Sequence, residues 1–538
     1  MNKGIKRFVF SLAAVTMVQC AVAQSSDAVL RDKVTDAVMK VYDDHLAQNP
    51  NDYNILFARA HQQYYNGDYT AALADVNQAM LLTPKTDKEL RFDEHILRAR
   101  ISDARKDYAS ELADLRLAQE LQPKSLACTD MIAKANLKVG NLDAAEKAFK
   151  KILRSESLNY DAMYGLAQIQ QTRGNGKAAL EQMDKAVALF RAEPQVYVNR
   201  ANIKARQGNI EAAVQDLLSG MAVGDGGNAA QALFDLSDTN YDGVMNTLAR
   251  LSDEPANANN SGMYRYLRAN IAMDHTRFAQ ALGDLKLIKR NHLYYSPSVD
   301  YNMARCCLEL ARWDEAMMSA ELALAADPSR PEYYIVKALA AYHQEGEGNL
   351  ERAMDALNAC AAIAPQYVPM LLTKAQLYLH QGEDNEALGY LNAAVANDPT
   401  DGDALLQRGL LLKKLDNLKL ATRDFNTVAM MGDDSYDLKG VALTEVGRDG
   451  EALRWLDRIT AASQPGGENY YHAAVFMALR GDNYKAMDYL QKAISNGYGS
   501  LYKLRYDRLV PFNLSSLYGN PDYDLAVDKA QRNFVVTE

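Results

Sequence analysis

One pattern recurs in register along most of this 538-residue chain. A small residue is followed, almost always 12 positions later, by a second one. The pairs run Ala60 and Ala72, Ala99 and Glu111, Ala133 and Ala145, Ala167 and Ala179, and Ala201 and Ala213. They continue with Ala232 and Val244, Ala269 and Ala281, Ala304 and Ala316, Ala338 and Ala353, and Ala375 and Ala387. Gly409 and Ala421, Gly440 and Ala452, and Ala474 and Ala486 complete the series. Successive first members stand 31 to 39 residues apart, and the one longer gap, 15 residues after Ala338, holds Gly346-Glu347-Gly348. A period of this length is the mark of a repeat array, in which each unit buries its apolar stripe only against its neighbours.

The spacing reads as two helices and a tight turn. Gly67-Asp68, Gly140-Asn141, Gly208-Asn209 and Gly481-Asp482 sit where the turn must fall, and Gly accepts the positive φ that ends a helix there. Paired small residues let two helices approach closely at their crossing. A larger apolar residue four places after the second small one fills the gap, as Val76, Phe149, Leu217, Leu285, Phe425 and Leu490 do. Pro84, Pro123, Pro328, Pro365 and Pro399 close several units. Residues 27–50 read as a leading helix with Val34, Val38, Val41 and Leu46 on one face. Asn520-Pro521-Asp522 reads as the start of a closing helix, with the Tyr- and Leu-rich 498–519 segment packed on the last unit.

Tyr301 to Pro328, with Ala304, Trp313-Asp314-Glu315-Ala316, Ala323 and Asp327-Pro328, resembles a unit of the tetratricopeptide repeat (TPR) family. So does Ala375 to Pro399, with Tyr378, Gly382, Ala387 and Leu391. The resemblance covers residues 50–500; Glu111, Val244 and a missing early Trp depart from it, the sixth unit (225–260) most of all. It implies an all-α, right-handed superhelical solenoid of about 13 helix pairs with capping helices at both ends. The expected divisions are a 24–52 capping helix, an array over 53–260, a second part over 261–497 and a 498–538 cap. In that family the first helix of each unit lines a concave groove, through positions three before, one after and four after the first small residue. Here those positions supply Phe57, His61, Tyr64, Tyr164, Asn202, Tyr266, Asn270, Tyr301, Arg305, Tyr342, Gln376 and Tyr471. Tyr is abundant, 31 against 12 Phe, and its apolar ring with a polar tip suits protein recognition.

The first residues read as a sorting signal. Lys3, Lys6 and Arg7 precede an apolar stretch from Phe8 to Val18, too short to span a bilayer, and Ala21-Val22-Ala23 is a cleavage pattern. Residues 1–23 are therefore expected to be removed in export to a periplasm or cell envelope. Gln19 before Cys20 spoils a lipobox, so lipoprotein anchoring is not expected. The remaining 56 basic residues face 69 acidic ones, which argues against nucleic acid. No further segment reads as membrane-spanning. Cys128, Cys306, Cys307 and Cys360 read as buried free thiols.

A search for chemistry finds little. Gly174-Asn175-Gly176-Lys177 lacks the first Gly and the final Ser or Thr of a phosphate loop. Asp238, Asn240 and Asp242, with Gly243, match the first half of a calcium loop, but its twelfth position is Ala249 instead of Glu. His343 and His380 occupy one repeat position in successive units, a weak pointer to a shared transition metal. Neither a catalytic constellation nor a cofactor is expected. The sequence therefore reads as a non-enzymatic scaffold for protein or peptide partners, with a SusD-like glycan-binding role in outer-membrane uptake as the alternative.

Overall fold

The computed structural model describes residues 28–223, 226–294, 296–432, 437–461, 466–534 and 536. The expected sorting signal and Cys20 lie outside them. The described residues are helical, without strands, and divide into two compact units, 1–232 and 233–538. The division falls inside the sixth pair.

In the first unit a leading helix, Ala28–Gln48, precedes five hairpins. Their helices are Tyr53–Tyr65 and Tyr69–Leu82, Lys88–Ala104 and Tyr108–Leu121, Leu126–Lys138 and Leu142–Ser155, Tyr160–Thr172 and Gly176–Leu189, and Pro194–Arg206 and Ile210–Met221. The sixth pair is drawn out into Gly227–Asp253, helical except at Asn240 (φ -143°, ψ 47°). In the second unit follow Ser261–Asp274 and Phe278–Arg290, Pro297–Glu309 and Trp313–Ala326, and Pro331–His343 and Asn349–Ile363. Then come Val368–Gln381 and Asp384–Asn397, Gly402–Lys414 and Leu418–Ala429, Lys439–Glu445 and Asp449–Thr460, and Gly467–Leu479 and Asn483–Ser495. A closing helix, Pro521–Asn533, is capped by the Asn520 side chain, as its sequence implies.

In eleven of the thirteen hairpins the turn carries a left-handed residue seven places after the first small one; the ninth uses Gly346 and Gly348 instead, and the sixth has none there. Gly140 (φ 77°) is typical: its N–H and that of Asn141 bond back to the carbonyls of Leu137 and Asn136. Where Gly is absent the same conformation is imposed on Lys106, Thr276, Ala311 and Asp416, at about 1–2 kcal/mol each. The small residues are almost all fully buried at the crossings. Gly409 and Gly440 stand there because a Cβ would come within 2.5 Å of the Phe425 ring and 2.3 Å of the Trp455 ring.

A second periodic device is an Arg immediately before the first small residue and an Asp 16 positions later. Arg59–Asp75, Arg98–Asp114, Arg200–Asp216, Arg268–Asp284 and Arg408–Asp424 each form a two-pronged pair across the hairpin. In four of the five a further guanidinium nitrogen reaches the preceding element, at Asp43, Asn77, Asp184 and Asn392. Each such Arg thus ties three helices, and each Asp is at most 6% exposed.

The leading helix departs from its expected face. Val38, Tyr42 and Leu46 are its buried line, and Val41 is 46% exposed. A spacing of four keeps residues on one helical face, and 38, 42 and 46 obey it. Val34's side chain lies outside the described set. The first unit's core is a chain of small clusters, one per interface. In the second unit a single cluster runs from Ala338 to Val527.

Candidate functional site

In both units the first helices of successive hairpins reach one another more closely than the second helices do. The first helices therefore lie on the inner side of each unit's curve.

In the first unit this face carries an aromatic cluster. Phe57 and His61 rings lie 6.3 Å apart, His61 meets Tyr65 at 4.8 Å, and Tyr64 meets Tyr65 at 5.6 Å. Phe57, His61 and Tyr64 are half-buried and Tyr65 is 65% exposed. Burial lowers the His61 pKa and the nearby Arg100 charge lowers it further, which keeps the imidazole neutral. Arg100 occupies the equivalent position one hairpin on; it is exposed and forms no ion pair among the described residues. The spacing rule that selected His61 also selects Arg100, which sequence reasoning passed over. Tyr164 is half-buried, and burial raises its pKa. Asn202 is exposed.

In the second unit the same positions are largely engaged within the protein. Tyr266 packs against Tyr294 at 5.2 Å, and Asn270 accepts a 3.0 Å bond from Asn302 of the next hairpin. Gln376 donates to Gln407 at 3.1 Å. Tyr301 lies 4.6 Å from Tyr333, and exposed Arg305 reaches over the Tyr301 ring at 5.8 Å. Tyr342 meets exposed His380 edge-on at 5.9 Å. Tyr471 is buried and stacks on Tyr498 at 4.4 Å.

Tyr498 opens the segment that explains this. Residues 498–519 do pack on the last hairpin, where Asn483 bonds Ser516 and Leu517 is fully buried. They also fold back across nearly 200 residues. Ser500 donates to the Glu309 carboxylate. Tyr502 meets His343 at 5.3 Å and Trp313 at 6.1 Å, and Tyr506 meets Trp313 at 5.4 Å. A single π-helical turn, Tyr502–Tyr506, carries these contacts, and Lys503 pairs with buried Asp507 at 2.6 Å. The chain's own C-terminal segment thus lies against the inner side of this unit. Residues this far apart in sequence leave no local signal of their meeting.

His343 is held in that aromatic cluster, stacked on Trp313 at 4.7 Å, and burial pushes its pKa down to about 4. It groups with no set of three or more metal-ligating side chains among the described residues, and neither does His380. Asp238 and Asp242 lie in helical backbone on either side of Asn240, not in a twelve-residue loop. Asp238 instead comes together with Asp274 and His275. Cys128, Cys306, Cys307 and Cys360 are buried free thiols, and burial raises the pKa of each.

A Tetratricopeptide repeat family model matches residues 131–195 and 266–331, and a second matches 346–409. Over 78 residues the chain is 44% identical to the "Tetratricopeptide repeat and J domain-containing co-chaperone DNJ1" of Fusarium oxysporum f. sp. lycopersici. That stretch is 13% of this chain and 15% of the relative, so only a small part of the relative's length is spanned. A thermophilic TPR protein of Thermus thermophilus is similar at 21% identity, over 36% of this chain and 99% of that one, with a TM-score of 0.30. The Naa15/Naa10 structure bound to HypK-THB is similar at 16% identity, over 97% and 96%, with a TM-score of 0.32. A tetratricopeptide repeat protein from Parabacteroides merdae ATCC 43184 is similar at 15% identity, over 47% and 99%, with a TM-score of 0.24.

Proposed function

The chain belongs to the tetratricopeptide repeat family, a family of protein-binding scaffolds, and from that premise we propose that it is an exported scaffold that docks an extended peptide on the inner face of its first unit. The observation that carries this reading is the contrast between the two inner faces. That of the first unit offers half-buried Phe57, His61, Tyr64 and Tyr164, with exposed Arg100 and Asn202 beside them. That of the second unit is engaged by its own C-terminal segment. Half-exposed aromatic rings bury area with little loss of side-chain freedom, and an unpaired guanidinium seeks a carboxylate or carbonyl. The mechanism is passive: preformed side chains select the partner, and no bond is made or broken. The co-chaperone named above also carries these repeats, which fits a ligand that is a segment of another protein.

Export to a periplasm or cell envelope rests on Lys3, Lys6, Arg7, the apolar run from Phe8 to Val18 and Ala21-Val22-Ala23. Sequencing the N-terminus of protein purified from the envelope fraction tests it, with Gln24 as the expected first residue.

Docking is tested by a photoreactive side chain at Asn202 in the full-length protein, followed by mass spectrometry. Peptide crosslinks from Asn202 that disappear in Tyr164→Ala and Arg100→Glu variants support the proposal. Equal crosslinking from Lys185, on a second helix, refutes it. So does retention of an oligosaccharide with no protein captured.

A further inference from the structure

The second unit holds a group of ligating side chains that the scaffold role does not use. Asp238 comes from the first half of the Gly227–Asp253 helix, and Asp274 and His275 from the end of the Ser261–Asp274 helix and its turn. One donor atom from each lies within 4.8 Å of the other two. His275 Nε2 stands 3.6 Å from Asp238 Oδ1 and 3.0 Å from the Ser237 hydroxyl, and its ring meets Tyr241 edge-on at 4.7 Å. The imidazole is thereby oriented from two sides.

These residues line a cavity of about 570 Å³ whose far wall is Gly466–Asn469 and Asn496 of the last hairpin. Glu468 adds a carboxylate from that wall and Asn469 a carboxamide. Neither Asp274 nor Glu468 forms an ion pair with Lys or Arg among the described residues. Arg277 also lines the cavity, with its guanidinium 4.2 Å over the Tyr241 ring. Mixed nitrogen and oxygen donors separate this group from a purely acidic patch.

We propose that Asp238, Asp274 and His275 bind one divalent transition metal of the zinc or manganese class, with Glu468 completing the set and clasping the last hairpin to the first of this unit. An imidazole nitrogen among the donors favours a transition metal over calcium, which takes oxygen ligands.

The test uses the full-length protein, stripped with chelator and titrated with Mn²⁺ alone, free Mn²⁺ being read by electron paramagnetic resonance. One ion per chain is expected, with binding weakened at least tenfold by His275→Gln and by Asp274→Asn. Hydrogen exchange on the same samples gives a second readout: metal should protect 466–469 together with 274–277. Should a variant fail to fold, metal protection of His275 in the wild-type chain against diethyl pyrocarbonate decides the matter. Absence of saturable binding overturns the proposal. Mn²⁺ binding that survives both substitutions overturns it too, as does calcium binding equal to that of Mn²⁺.

Discussion

Glu111 stands where eleven of the thirteen hairpins place Ala, and it is the residue most out of keeping with its position. It is 3% exposed at the crossing beneath Ala99, one carboxylate oxygen has no hydrogen-bond partner, and Lys138 Nζ stays 3.9 Å from the other. Burial raises its pKa from 4.5 to about 7, with Lys138 opposing and Asp103 reinforcing the rise. An acid with a folded pKa above its unfolded one binds more protons folded than unfolded between the two values. Stability contributed there is complete below pH 4.5 and is lost as pH rises to about 7. Two and a half pH units at about 1.4 kcal/mol each give roughly 3.5 kcal/mol as an upper bound. Glu111→Gln keeps the shape and removes the charge, so it should make the second hairpin about 1–3 kcal/mol more resistant to local opening at pH 8. Near pH 4.5 it should change little. The assay is hydrogen exchange of peptides covering 99–121 across pH 5 to 8, because stability in a repeat array is local. If the variant keeps the wild-type slope, or opens more readily at pH 8, then ionised Glu111 is net favourable and the reasoning fails.

Four further outcomes are expected. Arg408→Ala strands buried Asp424 and should cost about 3–5 kcal/mol, whereas Arg408→Met with Asp424→Leu should recover most of it, as urea unfolding would measure. Ala311→Gly relieves a left-handed residue (φ 57°) and should stabilise its hairpin by about 1 kcal/mol in the same assay. Gly440→Ala forces a methyl toward the Trp455 ring and should cost about 1–3 kcal/mol while shifting Trp455 emission. His343, held neutral by burial, should quench Trp313 with a midpoint near pH 4, measured by fluorescence in a Trp455→Phe background. A base with a depressed folded pKa resists protonation, so docking of Tyr502 and Tyr506 should loosen as pH falls from 6.5 to about 4, and a midpoint near 6.5 refutes the burial.

The sequence by itself determined the hairpins. Small residues 12 apart and a turn seven residues along are local constraints, so Ala60, Gly67 and Ala72 announce one another within a single unit. The Arg–Asp clamp was legible in the same way, since 16 residues separate Arg408 from Asp424 as they do Arg59 from Asp75, but only the paired geometry reveals what that spacing does. The tertiary structure alone decided that the second unit's inner face is engaged by the chain's own C-terminal segment. Ser500 meets Glu309, and Tyr502 meets His343, across chain separations over which side-chain periodicity carries no information. The grouping of Asp238 with Asp274 and His275 has the same origin: helix ends of successive hairpins are brought together by stacking, and a helix end's own residues say nothing about the neighbour it will face.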